Sequence, residues 1–316
     1  MLVGRPGSRQ RGRLQFRLRF RFRFSMDASF ADLITLLELE PIEENIFRGQ
    51  SRDIGTPQVF GGQVLGQALA AASRTVQGRA AHSLHAYFLK RGDVNAPIIY
   101  EVDRARDGGT FSNRRVIAIQ HGVQIFNMTA SFQTAETGLE HQISMPDVPL
   151  PDGLKDIETL VRESGAEIPP RMLRFLSYRR PFSVRPVDPG QFLSTGSQNR
   201  APVKQVWMRA IDRLPPDQFL HQVLLAYVSD YELIGTVTLP HGLHMSRAGL
   251  QMASLDHAMW FHRPCRVDEW LLFALESPAA SGGRGLARGH VFTADGQLVA
   301  TLAQEGLIRV RPDRAE

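Results

Sequence analysis

The chain has 316 residues, 43% of them hydrophobic, so it can bury a sizeable core in about two domains. Its net charge of +5 arises at one end, because residues 1–25 hold eight arginines and no acidic residue. From Met26 onward 29 basic residues face 32 acidic ones, which excludes a body built to bind nucleic acid. No apolar run approaches the roughly 18 residues of a membrane span. The single cysteine, Cys265, excludes an internal disulfide and favours a reducing, cytoplasmic location.

Residues 1–25 are interpreted separately from the body of the chain. Residues 14–24 alternate apolar and polar side chains with the period of a strand, whereas a targeting helix gathers its arginines on one face. The arginine-rich composition keeps open a mitochondrial transit peptide, and also a tail that binds nucleic acid or a membrane surface. The interpretation we favour is a disordered extension, or translated upstream sequence with Met26 as the working start.

Residues 26–135 predict a first α+β unit, in which helices are followed by antiparallel strands. Apolar residues at helical spacing after Met26 predict one helix, and residues 48–58 predict a loop or edge strand. Residues 62–73 predict a second helix, which is apolar almost all round and therefore enclosed by other structure. Four strands follow, with His121-Gly122 as a tight hairpin turn between the last two. They are predicted at residues 84–89, 98–104, 114–120 and 123–133.

Residues 136–202 predict a connection between units, because their many prolines block regular structure over much of the stretch. One short helix is expected there around residues 154–163. Residues 203–312 predict a second α+β unit. Its helix starts at Pro215-Pro216-Asp217, where proline and an acid stand in the first turn. Its strands are predicted at residues 255–262, 270–277, 285–293 and 297–309, with Asp295-Gly296 as a hairpin turn.

The second unit repeats features of the first. The segment HAYFLKR, beginning at His85, returns as HAMWFHR, beginning at His257, with an offset of 172 residues. A duplicated unit usually means two halves that close a shared core. The copies differ in three polar positions, because the second has Asp230, Ser254 and Gln304 where the first has Ala71, His82 and Ala130. This asymmetry predicts a single active site in the second half.

Several blocks resemble the acyl-CoA thioesterase II family, over about residues 29–311. They are FRGQS (47–51), QVFGGQ (58–63), SLDHAMWFHRP (254–264) and QEG (304–306), joined by Met145-Pro146 and PDGL (151–154) in the linker. Long blocks in the right order are a more specific signal than one short motif. The resemblance implies an α+β chain of two hot-dog units, each a central helix wrapped by an antiparallel sheet. It also implies hydrolysis of acyl-CoA thioesters, no metal or other cofactor, and a homo-oligomer of two or four chains.

The family's catalytic set is similar to Asp230, Ser254 and Gln304 of this chain. A thioester carbonyl needs an activated water and a stabilised oxyanion, which a carboxylate and polar orienting groups supply without a covalent intermediate. Asp230 lies at the negative end of a predicted helix, which should raise its pKa and make it a better base. Ser254 departs from the family, which commonly has threonine there. The Gln304 amide can donate to one partner and accept from another.

Each of these three residues also has an ordinary structural explanation. Asp230 would be an exposed helix stop, Ser254 would cap a turn, and Gln304 would lie on a solvated strand face. A non-catalytic module that binds acyl-CoA, with residues 1–25 as an interaction arm, is therefore an alternative to an enzyme.

A second enzyme class, a hot-dog hydratase or dehydratase acting on enoyl-CoA, would use His257 or His262 as its base. Asp256 and His257 resemble an acid and base pair, but adjacent strand residues point to opposite faces of a sheet. His257 also has a counterpart, His85, in the first half, which favours a structural role. Cys265 is a weak nucleophile candidate, since no base is evident beside it.

Two further features are candidates for substrate contacts. Gly61-Gly62 at a helix start can present backbone N–H groups to an oxyanion or a phosphate, or can simply allow close packing. Arg263, Arg284 and Arg288 are candidates for the phosphates of coenzyme A, or are charged residues on solvated strand ends.

Overall fold

The computed structural model describes residues 26–164, 180–193, 199–243 and 249–311. The interpretation of residues 1–25 therefore lies outside the described residues. Helix α1 (Ala28–Leu37) begins after Asp27, whose carboxylate accepts a hydrogen bond from the Ser29 backbone N–H at 2.9 Å. That cap satisfies an N–H group which the first turn leaves unpaired. The helix buries Phe30 fully, so its apolar face belongs to the core.

The first unit wraps a sheet around helix α2 (Gly61–Ser73), whose residues from Gly62 to Ala72 are all buried. The prediction of an enclosed helix is thus confirmed. His121 and Gly122 both have positive φ, at 50° and 71°, as a tight two-residue hairpin requires. The strands of this unit are β1 (Glu40–Glu43), β2 (Ile46–Gly49), β3 (Ala80–Phe88), β4 (Ile98–Asp107), β5 (Phe111–Gln120) and β6 (Val123–Gln133).

The second unit has the same plan around helix α5 (Gln218–Val228). Asp217 caps this helix by accepting from the Phe219 N–H at 3.0 Å, so the helix starts just after the predicted prolines and acid, which do not lie in its first turn. A 3₁₀ helix (Ile234–His241) follows it. The strands are β8 (Val203–Ala210), β9 (Leu250–Ser254), β10 (Asp256–Phe261), β11 (Leu271–Ser281), β12 (Arg284–Thr293) and β13 (Leu298–Val310).

Part of the stretch interpreted as a connection is regular structure. Strand β7 (Phe182–Pro186) pairs with β8 and extends the second sheet, although it lies among the prolines at residues 136–202. A proline is tolerated in β7 because β7 is an edge strand. Pro186 lacks a backbone N–H, but at the end of an edge strand no hydrogen bond of a central strand is lost. Helix α3 (Ile157–Ser164) confirms the short helix expected around residues 154–163, and a further short helix, α4 (Gly190–Leu193), was not predicted.

The strands of both units form one antiparallel sheet. Its order is β1-β2-β4-β5-β6-β3-β10-β13-β12-β11-β8-β7, with β9 paired to β13. Strands β3 and β10 join the units, with Ala86 opposite His257 and His85 opposite Ala258. Opposed residues share a face, so Ala86 and His257 point inward whereas His85 points outward.

The two central helices pack against each other inside this sheet. A side chain at Gly62 would overlap the carbonyl oxygen of Tyr227, and a Cβ at Gly66 would lie 3.3 Å from the carbonyl oxygen of Val223. The glycines of α2 therefore let its backbone approach α5 closely. This contact brings the start of α2 to the end of α5, which is where the polar residues of the second unit gather.

Both units carry an extra residue at the same place in the strands that join them. In β3 the pairing passes from Ala81 opposite Phe132 to Ser83 opposite Ser131, which leaves His82 as a bulge. In the second unit Ser254 lies opposite Gly306, and the ladder resumes one residue out of step at Ala258 opposite Ala303. The bulge there falls at Leu255. Such a residue reverses which later side chains face inward.

Candidate active site

Asp230 lies two residues beyond α5, and its side chain is buried. Burial raises the pKa of its carboxyl group to about 6, while hydrogen bonds from Gln304 and from the Gly62 backbone N–H oppose that rise. The direction expected from the sequence is confirmed, but its main cause is burial instead of the dipole of α5. The exposed helix stop considered for this residue is wrong, because the carboxylate is enclosed between α2, α5 and β13.

Gln304 holds the carboxylate from the opposite side. Its Nε2 lies 2.6 Å from Asp230 Oδ1 and 3.2 Å from His257 Nδ1, and the side chain is almost fully buried. The solvated strand face considered for Gln304 is therefore wrong. Its Oε1 is also buried, and the described part of the chain offers it no hydrogen-bond partner. The amide thus presents one acceptor that its own surroundings leave unused.

Ser254 lies on the same face of the sheet as Gln304 without touching it. It is opposite Gly306, and Gly306 follows Gln304 by two residues along β13, which is about 7 Å on an extended strand. Among the described residues its hydroxyl makes no hydrogen bond to Asp230 or Gln304. The structure therefore brings Asp230 and Gln304 into direct contact and places Ser254 on the same face of the sheet, two residues along from Gln304.

The sequence interpretation undervalued His257 and did not consider Ser229. His257 is fully buried, and its Nε2 lies 3.0 Å from Ser229 Oγ while its Nδ1 faces Gln304. Burial lowers the pKa of this imidazole to about 4, so the ring is neutral at physiological pH. A buried polar chain consequently runs from Ser229 through His257 and Gln304 to Asp230.

The argument that paired His257 with His85 is wrong. His85 faces outward and meets the Trp260 ring edge to face, at 5.2 Å between centroids. In the first unit Leu84 lies opposite Ala130, and the same register in the second unit sets His257 opposite Gln304. His257 therefore corresponds to the buried Leu84.

The strand registers also correct the repeat at Ser254. Ala81 opposite Phe132 matches Ser254 opposite Gly306, so the counterpart of Ser254 is Ala81 instead of His82. The pairing of Gln304 with Ala130 agrees with the register. At these strand positions the first unit is apolar wherever the second is polar.

The other candidates lie away from this polar group. Asp256 points the opposite way from His257 and accepts from the Glu305 backbone N–H at 2.6 Å, which fills the ladder position disturbed by the bulge. His262 lies on the outer side and contacts Thr301 Oγ1 at 2.8 Å. Burial raises the pKa of the Cys265 thiol to about 12, so it is not an activated nucleophile.

The three candidate arginines are ion-paired elsewhere. Arg263 lies 3.5 Å from Glu140, Arg284 lies 3.0 Å from Glu305, and Arg288 lies 2.6 Å from Glu276. On β12 it is Ala287 that lies opposite Gln304, so Arg288 faces the other side of the sheet. The structure does not bring these arginines to Asp230.

The described residues contain neither a membrane-crossing helix nor a metal-binding cluster. None of the described helices is both long and apolar enough to cross a membrane. Within those same ranges no group of three or more His, Cys, Asp or Glu side chains is arranged to hold a metal ion. The connected polar group consists of the Ser229 hydroxyl, the His257 imidazole, the Gln304 amide and the Asp230 carboxylate.

Two central helices wrapped by one antiparallel sheet, with a buried carboxylate between the units, define a double hot-dog protein. A family model described as acyl-CoA thioesterase matches residues 179–307, and one for the acyl-CoA thioesterase N-terminal domain matches residues 49–133.

Relatives resemble the chain over nearly its whole length. Acyl-CoA thioesterase 2 of Haemophilus influenzae is 44% identical over 281 residues, covering 88% of this chain and 97% of the relative. Human acyl-coenzyme A thioesterase 8 is 42% identical, covering 89% and 90%. The crystal structure of acyl-CoA thioesterase II TesB2 from Mycobacterium marinum is 44% identical with a TM-score of 0.72, covering 88% and 98%. The chain belongs to the acyl-CoA thioesterase II family.

Proposed function

We propose that the second unit hydrolyses acyl-CoA thioesters to fatty acid and coenzyme A, with Asp230, Ser254 and Gln304 acting on a water molecule. The observation that carries this proposal is the contact of 2.6 Å between Gln304 and a buried Asp230 whose pKa is raised to about 6. Such a carboxylate is ionised at neutral pH and still basic enough to accept a proton during the reaction.

Asp230 acts as the general base. It takes a proton from the water as the water oxygen forms a bond to the carbonyl carbon, and the carbonyl becomes an oxyanion. When the intermediate collapses the carbon–sulfur bond breaks, and the thiolate leaves with the proton that Asp230 held. The products are a carboxylic acid and a thiol, so atoms and charges balance without a covalent enzyme intermediate.

Gln304 and Ser254 orient the water. A water that donates one hydrogen to Asp230 has a second hydrogen, and the unused Oε1 of Gln304 is the acceptor that suits it. The Ser254 hydroxyl can donate to one lone pair of the water, which leaves the other directed at the carbonyl. Fixing the water in this way removes much of the entropic cost of the attack.

The start of α2 supplies positive potential beside the reacting carbonyl. Gly62 donates its backbone N–H to Asp230, and an ideal Cβ on Gly61 would lie only 2.6 Å from Asp230 Oδ2. Helix N-termini carry partial positive charge, which favours both the carboxylate and a developing oxyanion. The first unit thus contributes to a site whose side chains come from the second.

The hydratase alternative asks for a histidine base, and both nitrogens of His257 are already engaged by Ser229 and Gln304. Its lowered pKa of about 4 also makes it a poor proton acceptor near neutral pH. The enzyme therefore acts through its carboxylate in this proposal.

We further propose a cytoplasmic, reducing setting and a homo-oligomer of two or four chains, as the single buried Cys265 and the family resemblance suggest.

A thiol-release assay tests the proposal. Palmitoyl-CoA and a shorter acyl-CoA are incubated with the full chain, and free coenzyme A is detected with a thiol reagent. We expect release from both substrates and a loss of at least about 100-fold in the Asp230→Asn variant. Binding of acyl-CoA without thiol release by the unmodified chain would instead support the non-catalytic module.

A further inference from the structure

His257 stands between Ser229 and Gln304, outside the three residues to which the hydrolysis is assigned. We infer that His257 is a positioning residue, which fixes the Gln304 amide so that its nitrogen faces Asp230 and its oxygen faces the water. This inference rests on the proposed function and adds a residue to the same site. It follows from assigning each polar hydrogen atom to a donor and an acceptor along the buried series of side chains Ser229, His257, Gln304 and Asp230.

Ser229 settles the tautomer of His257. The Ser229 hydroxyl donates its single hydrogen to the Ala226 carbonyl oxygen at 2.9 Å. The serine oxygen can then only accept from His257 Nε2, which lies 3.0 Å away. Burial lowers the pKa of this ring to about 4, so the ring carries one hydrogen and that hydrogen is on Nε2. Nδ1 is left as a bare acceptor.

The bare nitrogen in turn orients Gln304. Nδ1 of His257 needs a donor, and Gln304 Nε2 supplies one at 3.2 Å. The second hydrogen of the same amide group goes to Asp230 Oδ1 at 2.6 Å. A reversed amide would set its oxygen against two acceptors, the carboxylate and the bare ring nitrogen, and both contacts would repel. The neutral histidine and the carboxylate therefore select one orientation together.

That orientation determines what the water meets. With both amide hydrogens used, Gln304 Oε1 is the only hydrogen-bonding atom of this amide that remains, and the described residues leave it unpartnered. Asp230 alone would keep the nitrogen of the Gln304 amide turned toward the carboxylate. The amide group could still rotate so that either of its two N–H hydrogens met Asp230. The second contact, to His257, locks the plane of the amide and hence the direction of Oε1.

Packing alone does not call for a histidine here. The equivalent place in the first unit holds Leu84, which is fully buried opposite Ala130. An apolar side chain of similar size thus fills this position of the fold. The polar pair of His257 and Gln304 replaces the apolar pair of Leu84 and Ala130 only in the unit that contains Asp230.

The test measures kcat and KM for two substitutions of His257, each with and without Gln304→Ala. His257→Leu installs the side chain that the first unit uses, and we expect kcat to fall by about tenfold or more with KM within about twofold, because one ordered hydrogen bond is lost. In the Gln304→Ala background the same change should cost less than about twofold, since a residue that acts through Gln304 has nothing left to position.

His257→Asn provides the rescue. Its Oδ1 lies about where Nδ1 of the ring was and can accept from the Gln304 amide, so kcat should stay within about threefold of the unmodified enzyme. His85→Leu is the matched control, because His85 is the outward-facing histidine of the same motif. Its kcat should be unchanged. Ser229→Ala should give a smaller loss than His257→Leu, since the ring then loses only the partner that sets its tautomer.

Several results would overturn the role of His257. An equal loss from His257→Leu with and without Gln304→Ala would mean that the histidine acts independently of the amide. Equal losses for His257→Asn and His257→Leu would also reject it, and this comparison holds even if the leucine variant unfolds, because an asparagine variant that folds and is inactive suffices. Full activity of Gln304→Ala and Asp230→Asn would instead reject the proposed site and leave the histidine contact a structural one.

Discussion

The Nε2 atom of Gln304 lies 2.6 Å from Oδ1 of Asp230, across the space between the last strand and the central helix of the second unit. The donors that hold this buried carboxylate are an amide and a backbone N–H, and both are neutral. A cationic partner would lower the pKa strongly, whereas neutral donors compensate only part of the effect of burial. The carboxylate thereby stays basic and is still ionised at neutral pH.

The first prediction concerns the pH dependence of hydrolysis. Only the ionised form of Asp230 accepts a proton, and its pKa is about 6. At acyl-CoA concentrations well below KM we therefore expect kcat/KM, which reports the pKa of the free enzyme, to be constant above neutral pH and to fall about tenfold for each pH unit below about 6. Initial rates of thiol release between pH 4.5 and 8 measure this. A rate that stays flat down to pH 5 would remove Asp230 as the base.

The second prediction separates binding from turnover. Asp230→Asn should lower kcat by at least about 100-fold, the scale for loss of a positioned base, while a non-hydrolysable acyl-CoA thioether still binds with about the same Kd. Calorimetric titration and thiol release provide the two measurements. Asp152→Asn, at an exposed aspartate of the linker, is the control and should leave both unchanged. Near-full turnover of the Asp230 variant would contradict the mechanism.

Periodicity was sufficient to predict most of the fold from the sequence. The eight strands predicted from residues 84 to 309 are all present, and the helix predicted near Pro215-Pro216-Asp217 starts directly after its cap, Asp217. The hot-dog architecture followed from the resemblance. Strands β1, β7, β8 and β9 were not predicted, and β2 only overlaps the loop or edge strand expected at residues 48–58. Short and proline-bounded strands lack a clear alternation of apolar and polar residues.

The candidate site was predicted less completely, for a physical reason. Alternation along a strand assigns faces correctly only when no residue is inserted, and Leu255 is such an insertion between Ser254 and His257. The sequence match of His257 with His85 used the offset of 172 residues, whereas the registers equate His257 with Leu84, so the match joined residues on opposite faces of the sheet. No local pattern reveals which offset the strand registers follow, and because His257 was matched with His85 it was assigned a structural role.

The third prediction concerns Ser254, where the family commonly has threonine. Ser254→Ala should lower kcat by about tenfold or more, because a hydroxyl that orders a buried water contributes on the order of 1 to 3 kcal/mol. Ser254→Thr keeps the hydroxyl and restricts its rotamer, so kcat should be equal or higher. Ser281→Ala, at the exposed end of β11, is the control. Equal kcat for all three residues at position 254 would make Ser254 structural.

The fourth prediction uses stability at two pH values. The pKa of His257 is about 4 in the fold against 6.5 in a free chain, so the unfolded state binds more protons between these values and stability falls on acidification. Asp230 has the opposite sign, because its pKa is raised from 3.8 to about 6 and the folded state takes up the proton first.

Urea unfolding at pH 7 and pH 5 distinguishes these two contributions. Relative to the unmodified chain, His257→Leu should gain about 2 kcal/mol in unfolding free energy on going from pH 7 to pH 5, since its acid penalty is gone. Asp230→Asn should lose about 1 kcal/mol over the same change. His85→Leu, on the outer face, should show neither trend. Parallel pH dependences for all four chains would mean that neither side chain is buried as described.

The last prediction tests whether the start of α2 holds the carboxylate in place. An ideal Cβ on Gly61 would lie 2.6 Å from Asp230 Oδ2 and 3.1 Å from the Phe88 ring. Because Asp230 follows a buried helix and Phe88 belongs to β3, neither can retreat freely, so Gly61→Ala should displace the carboxylate from Gln304. A displacement approaching 1 Å at a catalytic group costs up to about 100-fold in rate, and we expect at least about tenfold in kcat. Gly109→Ala is the matched control, since a Cβ there meets nothing within 4 Å. Unchanged turnover and an unchanged acidic limb in Gly61→Ala would show that the carboxylate works without the fixed contact to α2.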